Sequence, residues 1–258
     1  MSGFLAFYSN LQPLKPMQLI IDIGNSKIKV AVYNGQELVE YMALPKLTYK
    51  KFEDLFRKYP QLSRCLMCSV SDDVEALKAL LEQHLSVSVF SHKTPIPLTN
   101  LYGTPKTLGY DRLAGAVGAS NLYKGQNVLV IDSGTCITYN FVTAKGEYLG
   151  GSISPGLDMR FNALNHYTAK LPVVEYEDID ILTGTDTKYS ILTGVIHGMA
   201  YEMEGFINAY TKKYGSLQAV LTGGNAIRFE EALKKNSIFA HPNIVLWGLK
   251  TILDYNEE

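Results

Sequence analysis

Apolar positions in this chain fall into short runs closed by turn residues. One run, Leu129–Ile131, ends at Asp132 and is followed by Gly134, after which Thr135, Thr138 and Asn140 place small polar groups in the next apolar segment. A run of that length reads as a buried strand. Leu19–Ile21 repeats the pattern. A shift of 110 positions sets Asp22 on Asp132, Gly24 on Gly134, Asn25 on Thr135 and Lys29 on Tyr139. Both copies lead into hairpins. Val30–Tyr33 reaches Asn34-Gly35, a type I′ turn signal, and Glu37–Leu44 returns; Asn140–Val142 reaches Lys145-Gly146, and Glu147–Leu149 returns. Two strand-turn-strand-turn-strand units predict two related halves.

Between and after them the period changes. Thr48–Tyr59 is helix-like and Arg64–Val70 a strand. Ser71-Asp72-Asp73 caps an amphipathic helix over Val74–Leu85, with Val74, Leu77, Leu80 and Leu81 on one face, and Val87–Phe90 is a strand. Thr94–Lys106 reads as a loop, and a helix of small residues begins near Leu113. Later segments read as a helix over Leu157–Leu171, an acidic loop over Glu175–Asp186, a long helix over Lys188–Tyr214, a strand over Leu217–Leu221 and a helix over Ala226–Lys235. Ile244–Leu246 reads as a last strand and Trp247–Tyr255 as a last helix, which packs back on the first half. The mixture predicts mixed sheets with flanking helices. The boundaries expected are an extension over 1–16, a first domain over 17–122 and a second over 123–258.

Composition narrows the function. Among 258 residues, 24 Lys and Arg stand against 25 Asp and Glu, and no basic run favours nucleic acid. No apolar stretch is long enough to span a membrane. The first sixteen residues lack the charge and apolar run of a signal peptide. Three cysteines give no disulfide framework, and Cys65 and Cys68, spaced C-x-x-C on a strand, read as buried core thiols rather than metal ligands. The five histidines show no paired ligand spacing.

The repeated Asp-x-Gly strand ends carry the chemistry. Glycine admits the backbone close to a phosphate, whose oxygens take N–H and hydroxyl donors, while the carboxylate holds a cation. Two such loops facing each other make a nucleotide cleft. Gly150-Gly151 and Pro155-Gly156 before a helix, and Thr222-Gly223-Gly224-Asn225 after a strand, offer further anion and nucleotide approaches. Asp111 and Arg112 fall at the mouth of a helix. Spacing suits a helix cap and a catalytic base equally for Asp111, and the Arg112 fork suits a carboxylate-bearing ligand.

Taken in order, DIGNSKIKVAVY, GYDR, DSGTCIT, GGSISPG with TAKLP, GTDTKYSILTG and LTGGNA resemble the type III pantothenate kinases, in the superfamily of actin, heat-shock chaperones and sugar or acetate kinases. The resemblance implies two ribonuclease-H-like (actin-like ATPase) α/β domains with a cleft between them, and ATP-dependent phosphorylation of pantothenate, the first step of coenzyme A synthesis. It makes Asp22, Ile23, Gly24, Asn25, Ser26, Lys27, Ile28 and Lys29 the first ATP phosphate loop, with Asp22 near the Mg²⁺ of ATP and Thr135 a further ATP contact. It makes Asp132 the ligand of a monovalent cation, K⁺ or NH₄⁺. Tyr102, Gly109, Tyr110, Asp111, Arg112 and Thr187 become pantothenate-binding, with Asp111 the proton acceptor and Thr187 reaching the neighbouring subunit of a cytoplasmic homodimer. Ser26, Cys136 and Asn140 depart from the family's usual threonine, alanine and aspartate. Two other readings share the phosphate loops: another small-molecule kinase or phosphatase of the superfamily, and a non-catalytic nucleotide-binding regulator.

Overall fold

The computed structural model describes residues 17–24, 26–69, 75–234 and 238–257; the extension before Met17, Asn25 and the Ser71-Asp72-Asp73 cap lie outside them. Packing divides the chain into two units at Phe90/Ser91, each built on its own sheet.

In the first unit β1 (Met17–Ile23), β2 (Ile28–Asn34) and β3 (Glu37–Leu44) form an antiparallel meander. After α1 (Tyr49–Lys58), β4 (Leu62–Ser69) runs parallel to β1; after α2 (Glu75–Leu81), β5 (Ser86–Val89) extends the sheet. The order is β3-β2-β1-β4-β5. Period-two alternation sorts the side chains. Leu19, Ile21, Val30, Val32, Cys65 and Met67 pack with Phe52, Leu55, Leu77 and Leu81 of the helices. Asp22 and Lys29, with buried Ile20, Ala31 and Tyr33, take the opposite face. Cys65 and Cys68 are both buried and unbridged, and burial pushes the Cys65 thiol up.

The second unit repeats this plan. After a two-residue strand β6 (Thr99–Asn100) and α3 (Tyr110–Leu122), β7 (Asn127–Ser133), β8 (Cys136–Val142) and β9 (Glu147–Pro155) form the second meander. Then come α4 (Leu157–His166), α5 (Thr187–Tyr214), β10 (Leu217–Thr222), α6 (Ala226–Leu233), β11 (Ile238–Ala240) and α7 (Ile244–Tyr255). The order is β11-β10-β7-β8-β9-β6. Without β6 it is the order of the first sheet, with β10 and β11 parallel to β7 as β4 and β5 are to β1. Leu129, Ile131, Ile137, Tyr139 and Phe141 pack against α4, α5 and α6, where Met199 and Met203 are fully buried.

Several details differ from the sequence reading. The expected loop over Thr94–Lys106 contains β6, and the helix after Pro155-Gly156 stops at His166. Ile244–Leu246 is the first turn of α7, not a strand, and β11 fills the place at the sheet edge. The reason is a helix contact. Gly118 of α3 and Gly248 of α7 meet so closely that a Cβ on Gly248 would strike the Ala114 carbonyl, while Ile244, Val245 and Leu249 are buried. Burial on that seam overrides the weak helix propensity of Ile and Val. The same contact binds α3 to α7, so by packing 91–122 groups with the second unit. Among the described residues no helix is long and apolar enough to cross a membrane.

Candidate active site

The expected first phosphate loop joins β1 to β2. Its Gly24 N–H donates to the Lys27 carbonyl at 3.1 Å, closing the turn, and Ser26 and Lys27 are exposed. Asp22 is 5% exposed at the strand end and faces Lys29 across the hairpin, Nζ to Oδ2 3.9 Å. The lysine of that pair is partly exposed.

The second loop is one residue shorter. Ile23 pairs with Ile28, whereas Ser133 pairs with Ile137. Asp132 therefore sits opposite Thr138, and Tyr139, which the 110-residue shift set on Lys29, points to the other face. There Tyr139 stacks on Phe206 and donates to Glu202 Oε1 at 2.8 Å; it is a core residue. Thr222 of β10 flanks Asp132 on the other side, so Thr138, Asp132 and Thr222 form a row on one sheet face. Two loops close around the row. Asn225 N–H donates to the Ser133 carbonyl at 2.9 Å and Gly156 N–H to the Thr135 carbonyl at 3.2 Å. Gly223 lies at φ +94°, and a Cβ there would land on Asp132 Oδ1. Only glycine combines that backbone with that proximity.

Asn140 continues the same face two residues past Thr138, and over it lies the start of α3. Asp111 and Arg112 are in the first turn rather than before it. Asp111 Oδ1 accepts the Arg112 backbone N–H at 2.8 Å, so the carboxylate does act locally on the helix start. The Arg112 side chain is buried: Nε donates to Asn140 Oδ1 at 2.8 Å, and its Cζ lies 5.8 Å from the centre of the Tyr102 ring. The Tyr102 ring is tilted against Tyr148, 6.2 Å between centres, and the Tyr148 hydroxyl donates to the same Asn140 oxygen at 3.0 Å. Arg112 Nη2 is buried with no hydrogen-bond partner among the described residues. A buried guanidinium N–H without an acceptor is costly, and an anionic ligand removes that cost.

Tyr102, Gly109, Asp111 and Arg112 thus lie near one another. Thr187 does not: it begins α5 and lines a different groove of about 1000 Å³ with Arg160, Leu164, Tyr167, Ile191 and Val195. Sequence reasoning missed Tyr148 and the role of Asn140. A small polar residue inside the apolar run Tyr139–Val142 was the available signal. It also missed Glu202, whose carboxylate takes Tyr139, Ser154 (3.1 Å) and Arg160 (2.5 Å).

Known proteins share this chain's sequence and fold. The sequence profile of type III pantothenate kinase matches residues 18–209. A type III pantothenate kinase from Phocaeicola vulgatus is 45% identical over 94% of this chain and its own full length. Among solved structures, a Baf-family protein from Campylobacter jejuni superposes with TM-score 0.63 at 19% identity, over 93% of this chain and 98% of that one. A glucokinase from an Antarctic psychrotroph superposes with TM-score 0.50 at 12% identity, over 93% and 99%. The distant structures share the two-domain actin-like ATPase fold. The chain belongs to the type III pantothenate kinase family.

Proposed function

We infer that this enzyme transfers the γ-phosphoryl group of ATP to the primary hydroxyl of pantothenate, with Asp111 and Arg112 as its substrate-facing pair. The activity follows from the family. The observation that supports the residue assignment is the buried, partly unpartnered Arg112 beside Tyr102 and Asp111. Pantothenate carries one carboxylate and one primary hydroxyl. Arg112 Nη2 would take the carboxylate. Asp111, with Oδ1 on the helix start, would present Oδ2 to the hydroxyl proton. Phosphoryl transfer asks little covalent work of the protein, so alignment and charge neutralisation do most of it.

ATP with a divalent metal is the donor. Among the described residues no group of three or more His, Cys, Asp or Glu gathers. Asp22 would be the side chain offered to a metal carried by the nucleotide, and the ion would supply charge neutralisation there. Backbone N–H groups of the 24–29 loop and Thr135 would hold the phosphates. Asp132, flanked by the uncharged hydroxyls of Thr138 and Thr222, is an oxygen donor set suited to K⁺ or NH₄⁺.

A second copy of the chain would cover the α4–α5 groove and bring Thr187 to the partner's pantothenate. Tyr167, which lines that groove and is 82% exposed, supports this. Nothing in the charge balance favours nucleic acid, and the enzyme would work in the cytoplasm, where ATP is supplied. ATP consumption with and without pantothenate tests the activity. Turnover only with pantothenate is expected; turnover with a sugar or acetate instead, or none at all with nucleotide bound, would point to the two rival readings.

A further inference from the structure

Gly150 and Gly151 are adjacent glycines with different neighbours. A Cβ on Gly151 would strike the Tyr139 carbonyl, so that glycine lets β9 lie close on β8. A Cβ on Gly150 would instead fall 2.8 Å from Tyr102 Cδ2 and 3.0 Å from Cε2, on an aromatic ring rather than on backbone. Gly150 is buried and lies at φ +101° beside a β-bulge. Phe141 pairs with Gly150 but Val142 with Tyr148, which leaves Leu149 as the extra residue. The Tyr102 ring thus stands where a side chain at 150 would stand.

The backbone that carries the ring is held independently. Thr99 and Asn100 pair with Glu147 and Tyr148, the Leu101 N–H donates to the Tyr148 carbonyl at 3.0 Å, and the Tyr102 N–H donates to Asn100 Oδ1 at 3.0 Å. With the main chain fixed on both sides, a side chain at 150 displaces the ring before it displaces a strand. The ring's other neighbours are Tyr148 and the Arg112 guanidinium, whose Cζ lies 5.8 Å from the ring centre and whose Nη2 is buried without an acceptor. At that distance the electron-rich ring face attracts the cation.

We propose that Gly150 is a positioning residue for the substrate: its bare Cα is the seat of the Tyr102 ring, and the seated ring holds Arg112 where it meets the substrate carboxylate. Gly150 acts through the ring. A bulge alone would call for glycine because of its φ, whatever stood at position 102; the proposal ties the binding cost to the ring. It rests on the reading that Tyr102 and Arg112 bind pantothenate.

The test is a double-mutant cycle on the full chain, with steady-state kinetics and thermal melting of wild type, Gly150→Ala, Tyr102→Ala and the double variant. Gly150→Ala should raise KM for pantothenate about three- to thirtyfold, the worth of a partly desolvated cation–π contact, while KM for ATP and kcat stay within about threefold. In the Tyr102→Ala background the same substitution should change KM for pantothenate less than about twofold. Its melting-temperature cost from the positive φ should persist in both backgrounds, which separates strain from positioning. An unchanged KM for pantothenate in Gly150→Ala overturns the proposal, and so does an equal rise with and without the ring. Should Gly150→Ala fail to fold, the double variant decides: folding restored by removing the ring supports the seat, and a double variant that also fails to fold overturns it. Failure of the underlying reading looks different: wild type inactive on pantothenate, or Tyr102→Ala with unchanged KM for it, removes that reading and this inference with it.

Discussion

The two halves share one strand order and end the same central strand in the same carboxylate, yet their loops set different side chains around it. In the first, Asp22 faces Lys29 across a four-residue loop, 24–27, so each negative group has a positive one opposite. In the second, the loop is 134–136, and Asp132 is flanked in register by two neutral threonines. The first arrangement suits a site that meets a metal-bearing polyphosphate, where both signs of charge are useful. The second suits a site that takes up a further cation. The second sheet also has α3 over the face that carries Asp132, which brings Asp111 and Arg112 to its rim. One topology thus carries two different charge settings because side chains at matching register positions differ.

Four measurements can break or sharpen that contrast. The largest effect is expected at the substrate pair. Asp111→Asn keeps a side-chain oxygen for the Arg112 N–H, so the melting temperature should hold, while turnover falls about 10²–10⁴-fold if the carboxylate takes the proton. Full activity in that variant would reduce Asp111 to a helix-start residue. Next come the glycines of the two halves. Gly223→Ala meets a positive φ and the Asp132 carboxylate, and should cost about 1–3 kcal/mol in denaturant unfolding. Gly24→Ala places its Cβ 3.4 Å from the Lys27 carbonyl and should stay within about 0.5 kcal/mol. Equal costs would mean the two loops are equally tight. Third, activity in K⁺ or NH₄⁺ should exceed that in Na⁺ about tenfold, a difference of ~1.4 kcal/mol, and Asp132→Asn should abolish the preference. Equal rates in all three ions would erase the functional distinction between the loops. Smallest is the removal of residues 1–16. The family match begins at residue 18, so turnover and melting temperature should change less than about twofold and about 2 °C.

Much of the plan was legible because it is local. Apolar runs ending in Asp-x-Gly, a turn at Asn34-Gly35 and the alternation along each strand need only neighbours to be read, and both meanders appear where the pattern sets them. The ordered motifs identified the family for the same reason. Asp111 and Arg112 could be located at a helix mouth, but cap and catalytic roles share one sequence signature. The structure shows Asp111 accepting the Arg112 backbone N–H inside the first turn, and the buried Arg112 Nη2 adds a pull toward a ligand.

What the chain's sequence determined by itself was the set of strands, their buried faces and the carboxylates at their ends, since each depends on spacing within a few residues. Only the tertiary structure decided which residues meet. A loop shorter by one residue turned Thr138 rather than Tyr139 toward Asp132, because in a strand a single-residue slip exchanges the two faces. Residues 28 apart in sequence, Arg112 and Asn140, became hydrogen-bond partners because α3 lies on that face. Ile244–Leu246 became helix because burial against the small residues of α3 outweighs their local preference for a strand.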